Sequence, residues 1–526
     1  MIKVIDIFAG PGGLSEGFSS IVRNGLRQFD IVLSIEKNDY AFQTLKLRTF
    51  FREFPSGEAP EEYYKFLRGE LKLEELYRLY PKQTTKAEKK CWKAALGPGG
   101  VPISEVREKI ASSIKSDKNT VLIGGPPCQA YSLAGRSRNK GNPGYKEEKD
   151  LRQRLYVEYL RVLADFKPAM FVMENVKGML SAKLKGERIF DRILNDLKDP
   201  CKAISKEDGN LISTKNVKYV IYSLKDGKIL DDSKPSSAVI RAEYYGIPQA
   251  RHRIILFGIR EDLSLVPPKS LKIKEKIPIS DVIGDFPPLR GGVSKTDDSE
   301  ENWKKLLQSQ LENDLLTVNS ECVEKYNLEL YMSETLKNLK IPVEGRGKYF
   351  IRKNVNSEYR PEWYQDQRIG GIIQHETRSH MQSDILRYFY AACYGDVRNS
   401  SPVLSQFPKK LLPKHSNVNI AMRTSSTFSD RFRVQLRNRP STTIVSHISK
   451  DGHYYIHFDP MQTRSLTVRE AARIQTFPDN YYFYGPRTAQ YVQVGNAVPP
   501  LLATQIAEIV LNVFQEMNKL EVPSLN

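Results

Sequence analysis

Short apolar runs alternate with polar, glycine-containing turns through the first half of the chain. Ile2–Phe8, Ile31–Ile35, Val121–Ile123, Ala169–Met173 and Ile254–Phe257 are rich in aliphatic residues and lack the strict alternation of a half-buried strand. Runs of this kind suit strands covered on both faces, so they predict a parallel sheet with helices on either side. Within Leu151–Leu163, Leu155, Tyr159 and Leu163 recur at helical spacing. The interval from Arg48 to Ser116, rich in Glu, Lys and Tyr, is longer than a normal crossover and predicts an inserted helical excursion. From about Lys269 the texture changes. Pro287–Gly292 and the polar stretch Ser294–Asn302 mark a linker out of the α/β part, and no periodic pattern stands out up to about Asp430. Patterning returns past Arg431 and ends in a helix predicted over Leu502–Met517. No internal repeat of solenoid length is present.

Composition narrows the class. The chain has 526 residues, 40% of them hydrophobic, which excludes a disordered or collagen-like protein. At roughly 100–200 residues per domain, two to four domains are expected. Lys and Arg number 80 against 62 Asp and Glu, a formal net charge of +18 that points to a polyanionic partner. No run approaches the roughly 18 apolar residues of a spanning helix, so a membrane role is not expected. The N-terminus passes directly into a strand-like run and a glycine turn, unlike a signal peptide. Five cysteines, odd in number and without a CxxC pair, argue against a disulfide scaffold or a zinc site and suit a reducing cytoplasm.

Several segments carry candidate chemistry. Asp6-Ile7-Phe8-Ala9-Gly10-Pro11-Gly12-Gly13 is a strand breaking into glycines, which lets backbone N–H groups approach a ligand closely. It lacks the GxGxxG spacing of a dinucleotide fingerprint, and a plain tight turn explains it equally well. Glu36 ends the second run, where an acid can accept from ribose hydroxyls. Gly124-Gly125-Pro126-Pro127-Cys128-Gln129 places a thiol just past a strand behind two stiffening prolines. A thiol there needs a positive neighbour or a helix N-terminus to become a nucleophilic thiolate. The other cysteines, Cys91, Cys201, Cys322 and Cys393, read as inert buried residues. Glu174-Asn175-Val176 closes the fourth run at the same edge, where a desolvated carboxyl can donate a proton or a hydrogen bond. In Gln249-Ala250-Arg251-His252-Arg253 the two arginines are two apart and on a strand project to one face, with His252 opposite. Asn496 in Gly495-Asn496-Ala497-Val498 stands at a turn before the last helix, and the alternating arginines of Arg431–Arg439 suit a strand that presents charge to phosphates.

Taken in order, these segments resemble the DNA (cytosine-5)-methyltransferase family of the prokaryotic restriction-modification type. The matching pieces are the Phe8–Gly13 turn, Gly125–Gln129, Glu174–Val176, Gln249–Arg253, Arg439-Pro440-Ser441-Thr442-Thr443 and Gly495–Val498. The resemblance implies a Rossmann-like parallel sheet that binds S-adenosylmethionine, over residues 1–268 plus 480–526. A mixed target-recognition domain would occupy residues 269–479. It implies transfer of the methyl group, leaving S-adenosylhomocysteine, to C5 of a cytosine flipped out of a specific double-stranded DNA sequence. Cys128 would attack C6, Glu174 would bind the N3/N4 edge and supply the proton, and Arg253, with Arg251 in support, would hold the cytosine and Glu174. Phe8, Gly10, Gly12, Glu36, Leu155, Asn496 and Ala497 would bind the cofactor. Gln129 and Ser132 would touch the DNA beside the flipped base, with Arg346, Lys348, Arg352, Arg368 and Arg439 as further DNA contacts. No metal is implied, the protein would act as a cytoplasmic monomer, and a cognate restriction endonuclease would be a functional partner.

Two departures stand out: the acid expected to contact the adenine amino group has no counterpart near Gly97-Pro98-Gly99-Gly100, and Lys37 follows Glu36 where a large apolar residue is usual. The RNA-methylating branch of the superfamily is disfavoured by the long interval from Arg253 to Arg439, which lacks a Cys-Phe-Thr signature. A silent DNA-binding module has no reason to retain Cys128, Glu174 and Arg253 together. A nicotinamide oxidoreductase has the wrong glycine pattern.

Overall fold

A computed structural model of the chain describes residues 1–115, 117, 119–127, 155–184, 186–208, 216–309, 323–414 and 429–521. Eight strands form the main sheet: β1 (Ile2–Ile7), β2 (Phe29–Glu36), β3 (Cys91–Lys93), β4 (Thr120–Gly124), β5 (Met170–Val176), β6 (Tyr219–Tyr222), β7 (Val239–Arg241) and β8 (His252–Arg260). Their order is β6-β8-β5-β4-β1-β2-β3, with β7 also paired to β8. From β5 to β3 every pairing is parallel, whereas β8 runs antiparallel to β5, β6 and β7. The sheet is therefore parallel-dominated rather than purely parallel. A strand buried on both faces shows the same aliphatic run in either direction, so the reversal leaves no mark on composition.

Helices cover both faces. On one side lie α1 (Gly13–Ser19) and, from the far end of the chain, a helix over Pro500–Glu521, whose Ala503, Ile506, Ala507 and Val510 are fully buried against β1 and β8 residues. On the other side Val106, Ile110 and Ile114 pack with Val157, Leu160 and Leu163 over the opposite sheet face. Each aliphatic side chain so buried stabilises the fold by about 1.5–3 kcal/mol, which is why the two ends of the sequence meet in one layer.

The Arg48–Ser116 interval contains the expected helices but also β3, a three-residue edge strand parallel to β2. After α2 (Asp39–Arg52) come α3 (Glu61–Leu67), α4 (Leu73–Leu79) and α5 (Pro81–Lys90). Their aromatic residues Tyr63, Tyr64 and Phe66 share a core with Phe50 of α2 and with Ile369 and Ile373 far along the chain. The insertion thus braces the sheet against the middle region.

That middle region holds β9 (Gly347–Ile351), antiparallel to β10 (Ile372–Glu376), and a 17-residue helix over Gln382–Arg398 with twelve consecutive buried residues. Arg431–Arg439 is not the expected strand: only Val434 bridges, to Ile456, and the chain turns at Arg437–Asn438 before Pro440. Two further helices follow, Val468–Ile474 and Arg487–Asn496. The second packs with Ile279–Phe286 and Ile444–Phe483, and core membership passes from this cluster to that of the sheet between Ala497 and Val498. The helical stretch Arg487–Lys519 is apolar and long enough to cross a bilayer, and 78% of its most apolar window is buried inside the fold.

Candidate active site

Two constellations lie at the carboxyl ends of the parallel strands, where open α/β sheets bind ligands. The first is built on the turn after β1. Phe8 adopts φ 57° and Gly10 φ 58°, the left-handed region that only glycine enters without strain. A Cβ on Gly10 would meet nothing within 4 Å, so the turn opens onto free space, whereas one on Gly13 would lie 2.2 Å from the Val498 carbonyl oxygen. The Gly10 N–H donates to Glu36 Oε2 at 2.8 Å, and the Asn38 N–H donates to Oε1 at 2.7 Å. Both carboxylate oxygens are thereby aimed, with lone pairs left for a ligand. Leu155 lies beside the turn at Gly97, where a glycine Cβ would stand 2.8 Å from its Cδ2. An acid does approach that turn from another element: Glu158 Oε1 would be 3.8 Å from the same Cβ, and it is ion-paired to Arg161 at 2.5 Å. Ala497 is buried, and exposed Asn496 closes its helix on the same side.

Beneath the turn, Asp6 is wholly buried and accepts from the Ser15 hydroxyl at 2.5 Å. Burial pushes its carboxyl up to about 7, with Ser15 and Arg52 opposing. Behind α1, Glu16 accepts from Arg48 Nε at 2.9 Å and from Arg52 Nη2 at 2.6 Å, while Arg48 Nη1 also reaches Asn480 Oδ1 at 2.9 Å. The Tyr481 hydroxyl donates to the Pro11 carbonyl in the loop itself.

The second constellation joins β5 and β8. Glu174 Oε1 pairs with Arg253 Nε at 2.9 Å, both side chains largely buried. A Cβ on Gly125 would lie 3.0 Å from Glu174 Oε2, which sets the carboxylate against the turn leading to Cys128. The Asn175 Nδ2 group donates to the Pro126 carbonyl at 3.5 Å and steadies that turn. Cys128, Gln129 and Ser132 themselves lie outside the described residues, as does Cys322.

Arg251 stands just before β8, which begins at His252, and its charged neighbours are Arg253 and Glu174. It is 2% exposed, and its guanidinium donates to the Ile444 carbonyl at 2.7 Å and the Gly495 carbonyl at 3.3 Å. Its position locks the β8 entry to the segment before Asn496. His252, opposite, bonds Glu243 at 2.8 Å.

Among the expected DNA contacts, Lys348 and Arg439 are exposed, and Arg352 is 79% exposed with Glu70 at 3.9 Å. Arg346 is held by Asp298 at 2.8 Å, and Arg368 stacks 4.4 Å over the Tyr64 ring and bonds the Gly57 carbonyl. Missed from sequence was the densest charge network in the fold. Arg464 pairs with Glu470 at 2.6 Å, and Arg473 pairs with Asp479 and Asp285, each at 2.7 Å. Arg464, Arg469 and Arg473 are almost wholly buried. The Thr467-x-x-Glu470 capping box is a sequence signal that could have located it.

A family model for C-5 cytosine-specific DNA methylases matches residues 79–200 and 232–512. The chain is 32% identical over 529 residues to the Type II methyltransferase M.Bpa9945I of Bacillus paralicheniformis, covering 97% of this chain and 98% of that one. It is 26% identical over 530 residues to the Type II methyltransferase M.DdeI of Desulfomicrobium norvegicum, covering 98% and 90%. It is 25% identical over 455 residues to the DNA (cytosine-5-)-methyltransferase M.ApeKI of Aeropyrum pernix, covering 79% and 86%. The chain belongs to the C-5 cytosine-specific DNA methylase family, in its prokaryotic restriction-modification type. It is a DNA (cytosine-5-)-methyltransferase, an enzyme of methyl transfer to cytosine C5 in DNA.

Proposed function

We propose that the enzyme methylates a flipped-out cytosine in a specific double-stranded sequence through a covalent bond between Cys128 and C6. The observation that carries this is the Glu174–Arg253 pair, aimed at the Gly125–Pro127 turn on the same sheet edge as the Glu36–Gly10 cradle. C5 of cytosine is too electron-poor to attack an alkyl group unaided. The Cys128 thiolate adds to C6, and Glu174, held by Arg253, gives a proton to N3, so that C5 becomes enamine-like. S-adenosylmethionine, when bound, supplies the electrophilic methyl group. A base then removes the C5 proton, and the thiolate leaves C6 as N3 returns its proton to Glu174 and the ring regains its double bond. Reaching C6 requires the cytosine to leave the stack, and Gln129 and Ser132, which follow Cys128 in sequence, would touch the DNA beside the flipped base.

The turn fits the donor molecule: Glu36 offers aimed acceptors to ribose hydroxyls, the open side of Gly10 admits the methionine end, and Phe8, Gly12, Leu155, Asn496 and Ala497 line the remainder. Arg251, bonded to carbonyls rather than to Glu174, serves as a positioning residue. The recognition region comprises the segment with Lys348, Arg352 and Arg439 exposed, and the enzyme works as a monomer alongside a cognate endonuclease that cleaves the unmethylated site.

Bisulfite sequencing of DNA from cells expressing the protein tests the whole scheme. Methylcytosine in one sequence context is the expected result, and conversion of every cytosine with folded protein present would overturn it. Separately, Glu36→Gln is expected to weaken S-adenosylmethionine binding about ten- to hundredfold, since hydrogen bonds to a charged group contribute about 1.5–3 kcal/mol. Calorimetric titration without DNA reads this directly.

A further inference from the structure

Three arginines from separate segments converge beside the helix Arg487–Asn496. Arg346 precedes β9, Arg378 follows β10, and Arg487 opens the helix. Arg346 and Arg487 donate to one acceptor, the Thr377 carbonyl, at 2.9 and 2.7 Å. Arg378 donates to the Lys450 carbonyl at 3.1 Å and lies 4.3 Å over the Tyr491 ring. Carboxylates are few. Asp298 is shared between Arg290 at 2.6 Å and Arg346 at 2.8 Å, and Glu376 stands 3.7 Å from Arg487. Among the described residues Arg378 has no carboxylate within ion-pair distance, and exposed Lys450 adds a further cation. The Nε and Nη2 groups of Arg378 and the Nε of Arg346 are buried without a hydrogen-bond partner. His380, in their midst, is driven well below its ordinary value by burial first and then by Arg378, His453, Arg346 and Arg487.

Each donor left unpaired costs about 1–3 kcal/mol, so a cluster that keeps three of them invites an acceptor with several oxygens. The cluster lies nine residues before Asn496 on one helix. At about 1.5 Å per residue that is about 13 Å along the helix axis from Asn496, roughly four duplex steps at about 3.4 Å each. We propose that Arg346, Arg378, Arg487 and Lys450 clamp a backbone phosphodiester of the substrate duplex on the flank of the target cytosine. The assignment rests on the DNA reading above. Guanidinium forks match phosphate oxygens in pairs, and such contacts position a duplex without reading its sequence.

Fluorescence anisotropy over a series of KCl concentrations, with a duplex carrying the methylated site and a scrambled duplex, tests the clamp. The double variant Arg487→Gln/Lys450→Gln changes one half-buried and one exposed group, with circular dichroism checking that it is folded, while Arg378→Gln probes the inner residue. In the double variant both duplexes are expected to bind several-fold more weakly, with the slope of log affinity against log salt reduced by about 1–2. S-adenosylmethionine binding and the melting temperature should stay as in the wild type. An unchanged slope in the folded double variant overturns the clamp, as does weakening confined to the cognate duplex, which would mark a base reader. Displacement of the duplex by inorganic phosphate at a matched phosphate concentration would assign a small-anion site instead and also overturn it. A wild-type protein that binds no duplex sinks the DNA reading itself, which separates the two failures.

Discussion

Cys128→Ser is expected to lower methyl transfer by at least about 10³-fold while S-adenosylmethionine and duplex DNA still bind, because in the proposed mechanism the change removes the nucleophile and leaves both binding surfaces untouched. A hydroxyl is close to a thiol in size but is not ionised at neutral pH, so it is not expected to add to C6. The complementary experiment replaces the target cytosine with 5-fluorocytosine. After addition at C6 and methylation at C5, the fluorine cannot depart as a proton does, and the Cys128–C6 bond has no route to elimination. A protein–DNA adduct that survives denaturation is the expected result with the wild type, and its absence the expected result with Cys128→Ser. Wild-type turnover in the variant, or no adduct from an active enzyme, would remove Cys128 from the mechanism. Glu174→Gln distinguishes the partner: it keeps the shape of the Arg253 contact but cannot deliver the proton, so loss of turnover should exceed loss of DNA affinity.

The edge on which this chemistry stands was legible because its signals are local. A strand that breaks into Phe8–Gly13, a proline-fixed turn before Cys128 and a strand that ends in Glu174 each announce themselves within a dozen residues. The structure places Glu174 against Gly125 and joins it to Arg253. What escaped depends on contacts distant in sequence. The helix Gln382–Arg398 is buried from Asp384 to Gly395, with Asp384 and Arg387 paired at 2.6 Å inside, so it lacks the polar face by which a surface helix is recognised. β3 has only three residues and takes its identity from pairing with Ser34–Glu36. The hydrogen bonds of Arg251 were hidden in the same way: the carbonyls of Ile444 and Gly495 that bind its guanidinium come from segments about 190 and 240 residues away. Buried arginines are hidden for a related reason. Arg464 and Arg473 are charged residues expected at the surface, and only their carboxylates, brought in by folding, make the interior tolerable.

A large stability effect is expected at Glu16, which ties the cofactor turn to α2. Burial by itself would raise the Glu16 carboxyl, but Arg48 and Arg52 outweigh it and hold it at about 2, against an ordinary 4.5. A carboxyl depressed on folding contributes stability that is fully present above its unfolded value and is lost as the pH falls towards the folded one. Here the window runs from about pH 4.5 down to about 2. A shift of this size corresponds to about 3 kcal/mol at neutral pH. Glu16→Gln is expected to cost about that much, because it leaves Arg48 and Arg52 buried without their counter-charge, and breaking a buried pair from one side costs about 3–5 kcal/mol. Urea unfolding at neutral pH reads the loss, and the same titration between pH 5 and pH 3 should show the wild type weakening more steeply than the variant. Equal pH slopes would show that Glu16 is not the linked group. Because Glu16 begins the turn of helix behind Gly12–Gly13, and Arg48 also holds Asn480 beside the tyrosine that bonds Pro11, the variant should also loosen the cradle. A fall in S-adenosylmethionine affinity under conditions where the variant is still folded would tie the buried charges to the site they support.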